Sequence, residues 1–371
     1  MSRQPIITID NVSKSFGPHQ ALRNITLEIE RGSFTTLLGP SGCGKTTLMR
    51  LIAGFYEPDA GSLYIDGARI NGMPAFKRNT PLVFQDYALF PHISVFDNIA
   101  YGLKLKKLSR PDIQAKVASM LDMFGLKGLE ARYPKQLSGG QQQRVAFARA
   151  LVTGQNVLLM DEPLSNLDAK MRVEVRNELR ELQQRTGITA LFVTHDQEEA
   201  LSMSDRIAVF DKGRIAQVGT PWDIYFKPRS KYVADFVGTA NFIDGQVVGA
   251  EGSELLVQCR EYVFRIVKNT AAAAVGDQVT LVIRPECVTI VPATGDQMAG
   301  NSSWKGEIAR SSFLGHTIRY WVTCGSQQWI VDDSNPSVLG VMEGAVLLNF
   351  DKNSIHLLPA QDEVKAGLAL V

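Results

Sequence analysis

The residues Phe34-Thr35-Thr36-Leu37-Leu38-Gly39-Pro40-Ser41-Gly42-Cys43-Gly44-Lys45-Thr46-Thr47 decide the fold. The first five form a continuous apolar, β-favouring run, which reads as a buried parallel strand. Gly39 to Thr46 fit the pattern G-x-x-x-x-G-K-[ST]. Thr47 to Ala53 read as a helix closed by Gly54. Strand, glycine-rich loop and helix in that order make a phosphate cradle. Gly39, Pro40, Ser41, Gly42, Cys43 and Gly44 wrap the phosphates, the glycines letting backbone N–H groups curl inward, and the helix start adds its positive dipole end. Lys45 reaches the β- and γ-phosphates, Thr46 offers its hydroxyl to Mg²⁺, and Thr47 is placed for the α-phosphate. Cys43 reads as a small loop residue.

Further buried strands lie downstream. Val157-Leu158-Leu159-Met160 is apolar and ends in Asp161-Glu162. Asp161 is expected to hold Mg²⁺, and Glu162, one residue on, to polarise the attacking water as general base. Thr189-Ala190-Leu191-Phe192-Val193 is the second of these strands and leads to Thr194-His195; Gln85, a neutral amide, stands after Pro81-Leu82-Val83-Phe84. Between the strands, Lys170 to Arg185 is charged and helix-favouring, and residues 109–152 read as helical with breaks at Gly125 and Tyr133-Pro134. Alternating strands and helices predict an α/β core. Residues 6–10 and 25–30 alternate apolar and polar, which predicts antiparallel strands near the start.

Leu137-Ser138-Gly139-Gly140-Gln141 opens a helix running to Ala150. Ser138 is a good N-cap, and a capped helix start is an anion site. The chain thus has a second phosphate-binding terminus but no second lysine loop or acidic strand. Two copies placed head-to-tail resolve this: each nucleotide lies between one copy's Gly39–Thr46 and the other's Ser138–Gln141.

Composition sets the outer bounds. At 371 residues the chain suffices for two domains, and its net charge of +1 supplies no global field for nucleic acid or acidic lipid. No apolar run is long enough to span a bilayer. Met1-Ser2-Arg3-Gln4-Pro5 lacks an apolar signal core, so export by that route is not expected. Cys43, Cys259, Cys287 and Cys324 have no metal-ligand spacing and suit free thiols in a reducing cytosol. Near Val237 the pattern shifts to short strand-like stretches at 243–248, 254–258, 261–266, 279–283, 286–291, 304–309, 316–323, 327–331, 345–349 and 354–358, an all-β second domain with barrel-like spacing. The expected domains are 1–236 and 237–359, followed by a loose tail at 360–371.

Phosphate loop, Ser-Gly-Gly-Gln element and acidic pair, in that order, resemble the ATPase subunits of ABC transporters. The resemblance covers about residues 5–236. It implies a P-loop ABC ATPase core with an antiparallel β subdomain and a helical subdomain, ATP and Mg²⁺ as cofactors, and a homodimer. It further implies that His195 contacts the γ-phosphate, that Gln85 touches Mg²⁺ and the water, that Phe16 stacks on adenine, and that Asp168, in Ser165-Asn166-Leu167-Asp168, lies in the loop crossing the dimer interface. The aromatic-rich residues 86–102 look like the groove by which importer ATPases receive short helices of two transmembrane permease subunits. Ile283-Arg284-Pro285-Glu286 and Ser312-Phe313-Leu314-Gly315 resemble the OB-like, TOBE-type domain of importer ATPases. OB-type domains can bind nucleic acid, but this one carries nine basic against fourteen acidic side chains from residue 237 onward, which opposes a polyanion. The implied protein is a peripheral ATPase at the cytoplasmic face of the inner membrane, served indirectly by a periplasmic or surface solute-binding protein. The overall look leans to polyamine import, with ferric ion or phosphonate next. A soluble ABC-type switch without a transport role is the alternative.

Overall fold

The computed structural model describes residues 4–267, 273–293, 303–334 and 340–359; the expected tail at 360–371 lies outside them. The chain divides into two compact units, Met1–Pro221 and Trp222–Val371. The division falls ahead of the composition shift at Val237.

The first unit begins with β1 (Pro5–Phe16) and β2 (His19–Glu30), then β3 (Phe34–Leu38), α1 (Lys45–Ala53), β4 (Ala60–Ile65), β5 (Ala68–Arg69) and β6 (Leu82–Val83). It continues with α2 (Val95–Leu105), α3 (Arg110–Met123), α4 (Gly139–Leu151), β7 (Val157–Asp161), α5 (Ala169–Thr186), β8 (Thr189–Thr194), α6 (Gln197–Met203), β9 (Arg206–Asp211) and β10 (Arg214–Gly219). β2-β1-β4-β5 form an antiparallel sheet. The second sheet runs β10-β9-β3-β8-β7-β6, parallel except for β10. β3, β7 and β8 are buried along their whole length, as apolar runs covered on both faces should be.

β1 and β2 are longer than their alternating stretches. Asn11 and Asn24 adopt left-handed backbone, φ 48° each, and the β1–β2 register shifts beside Asn11. Such bulges let pairing continue while breaking the alternation that marks a strand in sequence. One core lies between the antiparallel sheet, α1 and the parallel sheet (Ile7, Leu22, Leu48, Leu159, Phe210). Another joins α2–α5 to the other sheet face (Ile99, Val117, Phe147, Leu179, Phe192).

Among its described residues the second unit carries most of α7 (Pro221–Phe226), then α8 (Lys231–Phe236) and ten strands: β11 (Asn241–Glu251), β12 (Glu254–Cys259), β13 (Tyr262–Val267), β14 (Gln278–Ile283), β15 (Val288–Pro292), β16 (Ser303–Phe313), β17 (Ile318–Cys324), β18 (Gln327–Asp333), β19 (Ala345–Phe350) and β20 (Ile355–Pro359). They form antiparallel sheets β13-β12-β11-β14-β20 and β15-β19-β16-β17-β18 around one core. Trp304 and Trp329 pack edge-on at 5.3 Å inside it, with Phe264 and Phe350 beside them. The stretch expected as a strand over 286–291 starts instead with a helical turn at Pro285–Cys287, where proline fixes φ and withholds a ladder donor. Just before it, buried Arg284 donates to the carbonyls of Tyr225, Ala234, Gly238 and Thr239 and lies 4.1 Å from the Tyr225 ring centroid. The cysteines are free; burial pushes the Cys259 thiol up to about 12 and Cys324 to about 11.

Candidate active site

Three strand ends meet at one sheet edge. β3, β8 and β7 are neighbours and parallel, so their carboxyl ends point the same way, where open parallel sheets bind ligands. Gly39 follows β3, Glu162 follows β7 and His195 follows β8.

Two glycines of the loop after β3 have no room for a side chain. A Cβ on Gly39 would sit 2.7 Å from Cys43 Sγ and 2.8 Å from the Phe210 carbonyl oxygen; one on Gly44 would sit 2.6 Å from the Ala21 oxygen. Gly44 also takes φ 109° at the start of α1, where no side chain caps the helix. Backbone N–H groups at that terminus are therefore left for an anion. Lys45 is only 4% exposed. Its Nζ donates to the Gly39 and Pro40 carbonyls at 2.6 and 2.8 Å, which turns the ammonium back over its own loop. Cys43 is buried beneath, its thiol raised by burial. Ser41 and Pro40 face solvent, and Thr47 is half-buried in the first turn.

Thr46 and Asp161 come together from α1 and β7: the Thr46 hydroxyl donates to Asp161 Oδ1 at 2.9 Å. Burial raises the Asp161 carboxyl above the usual range, against the pull of Thr46, Arg50 and Lys45. A hydroxyl beside a carboxylate is a hard oxygen donor set that fits Mg²⁺ alongside phosphate oxygens. Glu162 holds φ 47°, an unusual backbone for a non-glycine residue and of a kind that clusters at active sites. Its N–H donates to the Val193 carbonyl, and its Oε2 lies 3.1 Å from His195 Nδ1. Ser165 Oγ donates to the Glu162 carbonyl at 2.9 Å, and Asn166 Nδ2 to the Gln85 carbonyl at 3.0 Å. Gln85, its side chain exposed, is thereby tied to the segment that carries Glu162.

Among the described residues, the other expected residues make no hydrogen bond or ion pair to this cluster. Ser138 caps α4 in a reciprocal box: its Oγ accepts the Gln141 N–H, and Gln141 Oε1 accepts the Ser138 N–H. Gly139 and Gly140 form the first turn. Among the described residues, no hydrogen bond or ion pair joins 138–141 to the loop 39–46. Asp168 caps α5, accepting the Met171 N–H at 2.9 Å. Phe16 is 42% exposed, edge-on to Tyr56 at 5.2 Å, with Lys14 Nζ 5.5 Å from its centroid. Sequence reasoning missed Tyr56 and Arg50. The signal for Arg50 was its spacing, four residues after Thr46 on one helix face. The signal for Tyr56 was only its place just past the Gly54 stop.

Fold and site together define a P-loop nucleoside triphosphatase. The family described as ABC transporter matches residues 22–165, and that described as TOBE domain matches residues 281–358. The chain is 45% identical over 355 residues to "Fe(3+) ions import ATP-binding protein FbpC" of Rhizobium etli, covering 95% of this chain and 98% of the relative. It is 43% identical over 354 residues to the protein of the same name from Agrobacterium fabrum, with the same coverage. Among solved structures it resembles cbiO1 from Clostridium perfringens, part of the ABC transporter complex cbiONQ (TM-score 0.56, 30% identity, 60% of this chain and 91% of that one). It also resembles the dimeric MJ0796, a bacterial ABC transporter cassette (TM-score 0.53, 31% identity, 58% of this chain and 98% of that one). This chain belongs to the ABC transporter family, as an ATP-hydrolysing subunit with a C-terminal TOBE domain.

Proposed function

We propose that this chain energises uptake of ferric ion, working as a homodimer on two membrane-spanning subunits at the cytoplasmic face of the inner membrane. The sequence leaned to polyamines; the names of the two curated relatives move the solute to ferric ion. No helix among the described residues is long and apolar enough to cross a membrane, which suits a peripheral role. The segment 86–102, with Phe90 against Tyr101 at 4.6 Å and Tyr101 43% exposed, is the proposed seat for a short helix of the membrane partner. In this reading the cassette occupies residues 1–236 and the β-rich module after it serves dimerisation and regulation.

One observation carries the catalytic assignment. Glu162 touches His195 and Thr46 of α1 touches Asp161, with Asp161, Glu162 and His195 at adjacent strand ends, while among the described residues the Ser138 helix start has no hydrogen bond or ion pair to that cluster. Lys45 and the α1 terminus hold phosphate oxygens. Mg²⁺, when bound through Thr46 and Asp161 with Gln85 near, would neutralise developing phosphate charge. Glu162 orients and deprotonates the water, and His195 holds its carboxylate in place. Ser138–Gln141 close over the γ-phosphate from the second copy, so ATP binding joins the copies and hydrolysis frees them.

The test is Glu162→Gln. It keeps ATP affinity, forms a dimer on adding Mg-ATP in sedimentation velocity, and loses turnover by about 10²–10⁴-fold. Parent-rate hydrolysis would overturn the base assignment. Lys45→Ala loses ATP binding; unchanged affinity removes the loop assignment. For transport, the chain co-purifies with a multi-span membrane protein, and that complex in vesicles accumulates ferric ion. Purification as a membrane-free ATPase from cells expressing the neighbouring genes favours the soluble switch instead.

A further inference from the structure

The start of α4 is fastened to the segment that bears the catalytic glutamate. Gln143, one turn into α4, is fully buried, and its Nε2 donates to the Pro163 carbonyl at 3.2 Å. Pro163 directly follows Glu162. A Cβ on Gly140 would fall 2.5 Å from Met171 Cε, and one on Gly139 would lie 3.6 Å from Leu167 Cδ2. Leu167 and Met171 flank Asp168. Outside these contacts Arg144 makes a two-pronged pair with Glu178 of α5. The segment from Glu162 to the start of α5 therefore meets the first turns of α4 at Pro163, Leu167 and Met171.

We propose that Gln143 is a positioning residue that makes Glu162 of one ATP site follow the signature helix engaged at the other. This rests on the head-to-tail reading above. In that arrangement each chain gives Glu162 to one nucleotide and Ser138–Gln141 to the second, and Gln143 bridges the two contributions inside one chain. The amide can lie only one way round, because the Pro163 carbonyl accepts and does not donate. Its Oε1 is then buried with no hydrogen-bond partner, which makes this a costly orientation for a core glutamine. A cavity of about 230 Å³, lined in part by Gln143, Phe147, Leu179 and Leu182, gives the amide room to leave Pro163. The tie is thus breakable, as a two-position coupling element has to be.

Gln143→Met tests it, since methionine keeps length and volume but has no donor. In the Glu162→Gln background the substitution leaves Mg-ATP-dependent dimerisation and ATP affinity within about twofold of those of Glu162→Gln alone. In the otherwise unaltered chain it lowers kcat roughly tenfold, the scale of a small misplacement of a reacting group, and brings the Hill coefficient for ATP from above 1 down to 1. A dimer with unaltered kcat and Hill coefficient overturns the coupling. Parallel losses of melting temperature, ATP affinity and kcat assign Gln143 to passive packing and overturn it as well. If Glu162→Gln with Gln143 intact forms no dimer, the composite-site reading fails first, and the coupling falls with it.

Discussion

Asp161 shows function set against stability in one side chain. Its carboxylate is 7% exposed, with burial the largest cause of its raised pKa. A raised folded pKa means that ionised Asp161 opposes folding at neutral pH. Asp161→Asn keeps an oxygen to accept from Thr46 and removes the buried charge. It should stabilise the nucleotide-free chain by roughly 1 kcal/mol, or about 2–4 °C in melting temperature, while abolishing metal-dependent hydrolysis. The gain should shrink as pH falls and Asp161 takes up its proton; calorimetry of both chains from neutral to acid pH reads the sign. Lys45 and Thr46 were legible in sequence because strand, loop and helix fix their backbones within a few residues, and the acidic pair because it closes a buried strand. Arg50 and Tyr56 were not, because what gives each a role, Asp161 and Phe16, arrives from far along the chain.

At the scale of elements, α4 depends on its first turn. Ser138 and Gln141 each accept the other's N–H, so Ser138→Ala should cost about 1 kcal/mol of local stability. Amide exchange along 139–145 reads that loss, which should be largest at the Gln141 N–H. Buried strands were easy to read: β3, β7 and β8 are short runs of apolar and β-favouring residues, buried throughout. The helix α2 was hidden because it begins within 86–102, where aromatic residues obscure the period. Its decisive features are the Ser94 cap and buried Asn98, whose side chain bonds Phe90, Ile93 and Ser94 backbone. The helical pattern over 109–152 resolves into α3 and α4 separated by a loop, because Gly125 takes φ 61° and a short turn at Pro134–Gln136 precedes the Ser138 cap.

At the scale of the molecule, all four tryptophans, Trp222, Trp304, Trp321 and Trp329, fall in the second unit. Intrinsic tryptophan fluorescence of the full chain therefore reports that unit's unfolding alone. Arg284→Lys keeps the charge but exchanges a planar five-donor fork for three donors at one point. It should leave carbonyls of the α7–α8 segment unpaired and cost about 2–4 kcal/mol in a denaturant titration followed by that fluorescence. An unchanged midpoint would mean that the bonds from Arg284 contribute nothing net. The all-β character of this unit was legible from its alternation. The attachment of α7 and α8 to it was not, since they look like a continuation of the preceding cassette until Arg284 is seen holding carbonyls of their segment. That clasp tells a protein engineer where to splice. A chimera that swaps regulatory modules between relatives should be joined before Trp222, so that the arginine travels with the helices it grips; a seam at residue 237 would graft a donor onto foreign acceptors.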